Sequence, residues 1–291
     1  MQNRITKTMN KQINGQVIKV ISNQFYVLIA NQVFLCSQKG NLKMNKSLPL
    51  VGDNVIVDNQ KKVIKQILPR KNEILRPRVA NIDQAIVVTS LKTPDFSTNL
   101  LDKLLVQLEI NKIRPIICIT KKDKLTDKEF LKIQDTLNYY KKIGYTLIYN
   151  NELNKLKKCL SNNLTVFIGQ TGAGKSTLLN NLFPQLNLKT DDVSLALRRG
   201  KHTTRVVEIF QIDNIRVLDT PGFSALSFLS YGLDNVKNAF IEFKNYPCLY
   251  KDCSHDKEKE CNLKKAVEEG KVLESRYLNY LNFKKEFIER K

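Results

Sequence analysis

At 291 residues, 42% of them hydrophobic, the chain exceeds the usual size of one small domain and can bury a sizeable core. No uninterrupted apolar run is long enough to cross a bilayer, and the opening Met1-Gln-Asn-Arg-Ile-Thr-Lys7 lacks the apolar stretch of a secretory signal, so a cytoplasmic protein without a membrane role is expected. A formal charge of +20 makes a polyanion the default partner, since each Lys or Arg that neutralises a phosphate releases condensed counterions.

The charge is unevenly spread. Residues 1–70 hold eleven Lys and Arg against two Asp and Glu, whereas residues 224–291 hold thirteen against eleven. Within the first segment, five short β-rich runs, Val17–Ile21, Phe25–Ile29, Val33–Cys36, Val55–Val57 and Val63–Leu68, alternate with turn signals at Gly40 and Pro49 to Asp53. Five short strands with a basic surface fit an OB-fold barrel, whose strand face and loops bind oligonucleotides; an SH3-like packing barrel would give the same pattern.

From Ile82 strands and helices alternate, which predicts a parallel sheet covered by helices. Strands are expected at Ala85–Thr89, Pro115–Ile119, Thr146–Tyr149, Val166–Ile168, Val206–Phe210 and Ile215–Leu218, with helices over Leu100–Ile110, Phe130–Ile143 and Lys175–Phe183. After Phe223 the pattern becomes helical and is interrupted by cysteines. The resulting division is a barrel over 1–70, an α/β P-loop domain over 71–223 and a helical metal-binding domain over 224–291.

Three loops of the α/β region carry the chemistry. Gly169-Gln-Thr-Gly-Ala-Gly-Lys-Ser176 lies between a buried strand and an amphipathic helix, the context a P-loop needs. Its glycines let backbone N–H groups face phosphate oxygens at a helix N-terminus, Lys175 reaches the β- and γ-phosphates, and Ser176 places its hydroxyl on Mg²⁺. Asp219-Thr-Pro-Gly222 follows an apolar strand, where Asp219 would hold a magnesium-bound water and the Gly222 N–H would meet the γ-phosphate. Thr120-Lys-Lys-Asp123 also follows a strand; Asp123 can accept from the N1–H and amine of guanine, a donor pair adenine lacks, while Lys121 lays its stem along the ring. The base loop precedes the P-loop, an order rotated from that of ordinary GTPases. Circular permutation accounts for it, because domain termini lie at the surface and often close together. It also makes the Asp219 turn lead straight into the C-terminal region, so that a nucleotide-dependent movement there would pull on that region.

Two further clusters are legible. Cys248, Cys253, His255 and Cys261 offer three thiolates and an imidazole within fourteen residues, a set suited to one structural, tetrahedral Zn²⁺. Cys36, Cys118 and Cys159 are isolated and read as structural thiols. Gly200-Lys-His-Thr-Thr204 occupies the place of a switch loop, where Thr203 or Thr204 would close over Mg²⁺. The residue after Gly222 is Phe223, which cannot orient water, so His202 is the nearest candidate for that task; ordering the loop or touching RNA are its alternatives.

With Val51-Gly-Asp53 and Arg76-Pro-Arg-Val-Ala-Asn-Ile-Asp83 added to these motifs, nearly the whole chain resembles the ribosome small subunit-dependent GTPase A family. Members are circularly permuted GTPases with an N-terminal OB-fold and a C-terminal zinc domain. The resemblance implies a GTP hydrolase stimulated by the 30S subunit, acting on its rRNA in late maturation, and a monomer. It implies nucleotide contacts from Thr120, Lys121, Lys122, Asp123, Gly169, Gln170, Thr171, Gly172, Ala173, Gly174, Lys175, Ser176, Thr177, Asp219 and Gly222. Two departures stand out: Thr120 replaces a commoner Asn, and Tyr149-Asn-Asn151 replaces a Ser-Ala pair. An RNA-binding platform whose nucleotide only fixes its conformation is the alternative; a permuted GTPase of the large subunit fits the barrel and cysteines less well.

Overall fold

The computed structural model describes residues 12–38, 48–75, 78–186, 207–219 and 232–288. His202, Thr203, Thr204, Gly222 and Phe223 lie outside the described residues. The N-terminal strands are β1 (Gln12–Ile21), β2 (Gln24–Ile29), β3 (Gln32–Gln38), β4 (Asn54–Asp58) and β5 (Val63–Ile67). Both short hairpin turns, Ser22-Asn23 and Ala30-Asn31, have positive φ at each position, the geometry that matches the twist of two-residue hairpins. The strands run in the order β1, β2, β3, β5, β4, and β4 pairs back onto β1, so the sheet closes. With β3 and β5 parallel, this is an OB-type barrel filled by Val17, Phe25, Val27, Ile29, Cys36, Val55, Val57 and Ile64.

Between barrel and α/β sheet lies a hairpin that the periodicity did not reveal, β6 (Glu73–Leu75) and β7 (Arg78–Ala80), with Val79 bridging to Val51. The two signature stretches quoted above meet here. Gly52, at φ +95°, lets the backbones touch: a Cβ would lie 1.9 Å from the Ala80 carbonyl oxygen. Arg70 grips fully buried Asp53 through two 2.7 Å hydrogen bonds, and Asn81 donates to the Gly52 carbonyl at 3.0 Å.

The α/β sheet contains β8 (Gln84–Ser90), β9 (Arg114–Thr120), β10 (Thr146–Tyr149), β11 (Leu164–Ile168), β12 (Glu208–Ile212) and β13 (Ile215–Asp219). Their spatial order is β10, β9, β8, β11, β13, β12, all parallel except the antiparallel β12. Helices α1 (Thr98–Ile110) and α2 (Asp127–Lys142) cover one face; α3 (Leu153–Leu160) and α4 (Lys175–Leu182) cover the other. Strand alternation divides β8 accordingly, with Ala85 and Val87 in the first core and Ile86 and Val88 in the second. Thr126 and Glu129 form a reciprocal capping box that starts α2. Strand β12 also pairs with barrel strand β1, so the two sheets run into one another.

The C-terminal unit comprises α5 (Leu233–Asn238), the cysteine loop, α6 (Asn262–Glu268) and α7 (Glu274–Ile288). Phe240, Phe243, Tyr280 and Phe283 form its core, which takes in Val106 of α1. Arg276 is fully buried at this junction. It bonds Glu242 through two contacts of 2.5 and 2.9 Å and Asp102 of α1 at 2.6 Å, and Tyr140 and Asn279 also donate to Asp102.

Candidate nucleotide site and metal centre

The three chemical loops, far apart in sequence, emerge at the C-terminal ends of β9, β11 and β13, the edge at which parallel α/β sheets bind ligands. The P-loop turns directly from β11 into α4, with Gly174 in the left-handed region as the residue before the helix. Gly169 has φ +143°, and a Cβ there would stand 2.2 Å from the Val88 carbonyl oxygen, so a side chain would push the loop off the end of β8. The Lys175 ammonium donates to the Gly169 and Gln170 carbonyls at 2.8 Å each. Burial pulls its pKa below the ordinary lysine value, and a phosphate beside it would favour the charged ammonium. Ser176 sits half-buried in the first turn of α4, and Thr177 is exposed next to it.

The base loop is fastened to the P-loop by two side chains. The Thr120 hydroxyl donates to the Ala173 carbonyl at 2.7 Å, which gives this unusual threonine a concrete task. Lys121, itself left-handed at φ 59°, donates to the Gly172 carbonyl at 2.7 Å and to the Thr93 carbonyl. Its stem therefore runs along the opening between the loops. Lys122 places its ammonium over the Phe130 and Tyr149 rings, 4.0 and 5.3 Å from their centroids, rather than on the P-loop. Asp123 is exposed in a single 3-10 turn over Lys122–Lys124. The Tyr149-Asn-Asn151 loop lies alongside, with the Asn150 N–H donating to the Ile119 carbonyl at 2.9 Å.

One contributor escaped the sequence reading. The turn joining β8 to α1 brings Thr93 to the Lys121 ammonium, and Pro94 stands next to Gly172, where a Cβ would meet its Cδ at 3.6 Å. Thr-Pro-Asp looks like any surface turn, and its use here depends on a carbonyl, which leaves no residue signature. Asp219 closes β13, directly opposite Glu208 of β12.

Cys248, Cys253, His255 and Cys261 do converge, their ligand atoms all within 4.8 Å of one another. The Cys248 and Cys261 sulfurs are 3.6 Å apart, and His255 Nδ1 stands 3.5, 3.5 and 3.3 Å from Cys248, Cys253 and Cys261. Tetrahedral zinc would put sulfurs about 3.8 Å apart and sulfur and nitrogen about 3.5 Å apart, so the set fits. Burial, then nearby Lys237, holds His255 below the ordinary histidine value and keeps the imidazole neutral, the form that binds metal. Outer contacts fix the loop: Tyr277 and Tyr280 donate to the His255 and Ser254 carbonyls at 2.8 and 2.7 Å, and the Glu258 carboxylate accepts from the Ser254 and Asp256 N–H groups.

A P-loop, an acidic strand end and a base loop along one edge of the sheet, in rotated order and flanked by an OB barrel and a Cys3His cluster, define a circularly permuted GTPase. The family model described as RsgA GTPase matches residues 67–229, and the one described as RsgA N-terminal domain matches residues 14–64. The chain belongs to the RsgA GTPase family. A Bacillus cereus relative named small ribosomal subunit biogenesis GTPase RsgA is 42% identical over 287 residues, covering 95% of this chain and 98% of the relative. One of the same name from Latilactobacillus sakei is 40% identical over 284 residues, covering 94% and 95%. Among solved structures, YjeQ from Thermotoga maritima matches with a TM-score of 0.85 and 31% identity, over 96% of this chain and all of that one. YloQ, described as a circularly permuted GTPase, matches at 0.83 and 34%, over 100% and 99%.

Proposed function

We propose that this chain hydrolyses GTP in late maturation of the small ribosomal subunit, binding that subunit's rRNA. The observation that carries the reading is the fastening of base loop to P-loop by Thr120 and Lys121, which supports a guanine nucleotide site in a chain that also holds a basic OB barrel. The relatives' shared name supports the choice of subunit.

In this reading the backbone of Gly169 to Gly174 cradles the phosphates, Lys175 neutralises the β- and γ-oxygens, and Ser176 with Thr203 or Thr204 holds Mg²⁺. Bound magnesium supplies charge stabilisation at the phosphates. Asp219 orients a magnesium-bound water, Gly222 meets the γ-phosphate, and Asp123 selects guanine. His202 orients the attacking water once the ribosomal subunit has ordered its loop. Zinc, held by Cys248, Cys253, His255 and Cys261, fixes a loop too short to have its own core. Residues 1–70, 71–223 and 224–291 act as barrel, motor and metal-bound unit of a cytoplasmic monomer.

Single-turnover hydrolysis of GTP alone, with 30S subunits and with 50S subunits tests the proposal. Stimulation by 30S alone is expected. Equal turnover in all three would favour the platform alternative, and stimulation by 50S would reassign the subunit.

A further inference from the structure

The strand next to the acidic turn carries a charge of its own. Glu208, first residue of β12, stands opposite Asp219 on one side and opposite Lys19 of the barrel on the other, so Lys19, Glu208 and Asp219 form one row across three strands. Directly opposed positions of antiparallel strands lie on one face of the sheet, so the register puts a second carboxylate-bearing position beside the acidic strand end. Glu208 is compensated from the barrel side: the Lys19 ammonium lies 2.7 Å from its carboxylate, with the two side chains 14% and 23% exposed. Screening by solvent is correspondingly weak. Strand β1 is held there independently, because Arg216 of β13 donates to Gln16 at 2.9 Å and the Gly52 N–H donates to the Val17 carbonyl at 2.8 Å.

We propose that Lys19 is a positioning residue of the GTP site, supplied by the barrel to neutralise Glu208, so that the row presents the charge of Asp219 alone to the nucleotide. The proposal rests on the reading of Asp219 as the magnesium-side carboxylate. GTP carries more negative charge than GDP at the phosphate end, so an uncompensated carboxylate one strand beyond Asp219 disfavours GTP more than GDP. At a separation on the order of 10 Å in a partly screened site, the discrimination is worth about fivefold in relative affinity. The barrel thereby belongs to the nucleotide site electrostatically, without touching the nucleotide.

The test is a charge cycle in the full chain. GTP and GDP dissociation constants are measured in excess Mg²⁺ at low salt for the unaltered protein, Lys19→Met, Glu208→Gln and the double variant. Lys19→Met should raise the ratio of GTP to GDP dissociation constants about fivefold, Glu208→Gln should lower it, and the double variant should return it to the starting value. High salt should shrink both single effects. If the pair only ties barrel to sheet, both single variants move the ratio the same way, or not at all, and the double does not recover it; either result overturns the proposal. Asp219→Asn is scored separately: it should weaken the magnesium dependence of GTP binding, and if that dependence is unchanged, the reading of Asp219 fails whatever the charge cycle shows.

Discussion

The two appendages of the α/β domain are joined to it by different chemistry. The C-terminal unit shares a core with α1 and is locked by Arg276, a buried cation between Asp102 and Glu242 that also lies over the Phe240 ring at 4.9 Å. The barrel is joined along an edge, by one β1–β12 register pair, the Lys19–Glu208 ion pair, the Arg216 to Gln16 contact, the Gly52–Ala80 backbone approach and Ile18, Val20 and Val51, which pack on the first α/β core. A buried ionic knot has two states, intact or broken, whereas an edge of several small, separate ties can yield by degrees. The C-terminal unit is thus fixed to α1, and the barrel is attached to the hairpin that ends in Asp219. The sequence order suggested that movement after Asp219 would pull on the C-terminal region. That pull would act against the Arg276 knot.

Breaking the knot should have the largest effect. Arg276→Ala leaves two carboxylates buried without their cation, at a cost of about 3–5 kcal/mol, and chemical denaturation should show it. Burial raises the Asp102 pKa, so the orphaned Asp102 carboxylate should take up a proton, and removing both charges with Asp102→Asn and Glu242→Gln should recover much of the loss. A variant as stable as the parent would mean that the apolar core alone holds the unit.

Next comes the metal. Cys261→Ser should abolish metal binding at the cysteine cluster and raise amide exchange across residues 248–262 by roughly tenfold or more, while GDP affinity changes less than about twofold. Equal loosening of the barrel would refute the separation of the two joints. On the barrel side, Gly52→Ala forces a Cβ onto the Ala80 carbonyl at an unfavourable φ and should cost about 1–3 kcal/mol. Limited proteolysis between barrel and β8 should quicken, with the C-terminal cysteine unit unaffected.

Much of this arrangement was legible in the chain because it is local. The glycine spacing of the P-loop, the apolar strands before Asp219 and Thr120, the alternating barrel strands and the cysteine spacing all express short-range rules. The joints were not legible. Lys19 and Glu208 are 189 residues apart, and Arg276 lies in a helix, Glu274–Ile288, so rich in Asn, Lys, Arg and Glu that a buried arginine looks like one more solvated charge. The β6–β7 hairpin and α3 went unread because three-residue strands and an eight-residue helix carry little periodicity; α4, equally short, was legible only through the P-loop that starts it. Arg76 and Asp83 could be quoted as part of a familiar stretch, but only the fold shows that Asp83 accepts the Leu164 N–H at 2.6 Å and so ties the joint to the P-loop strand.

The smallest predicted effect concerns a third joint, between base loop and P-loop, which depends on a single hydroxyl. Thr120→Ala removes the donor to the Ala173 carbonyl in a buried setting, and a neutral hydrogen bond of this kind contributes about 1 kcal/mol. GDP affinity should fall about fivefold. Preference for guanine over adenine should persist, because the proposed reading assigns that choice to Asp123 and not to the tie. Thr120→Asn offers an amide donor at the same place and should keep most of the affinity, provided its larger side chain fits against Gly174, where a Cβ would already stand 3.9 Å from Thr120. If Thr120→Ala binds GDP as tightly as the parent, Lys121 alone fastens the loops, and the joint resembles the barrel's graded attachment more than the Arg276 knot.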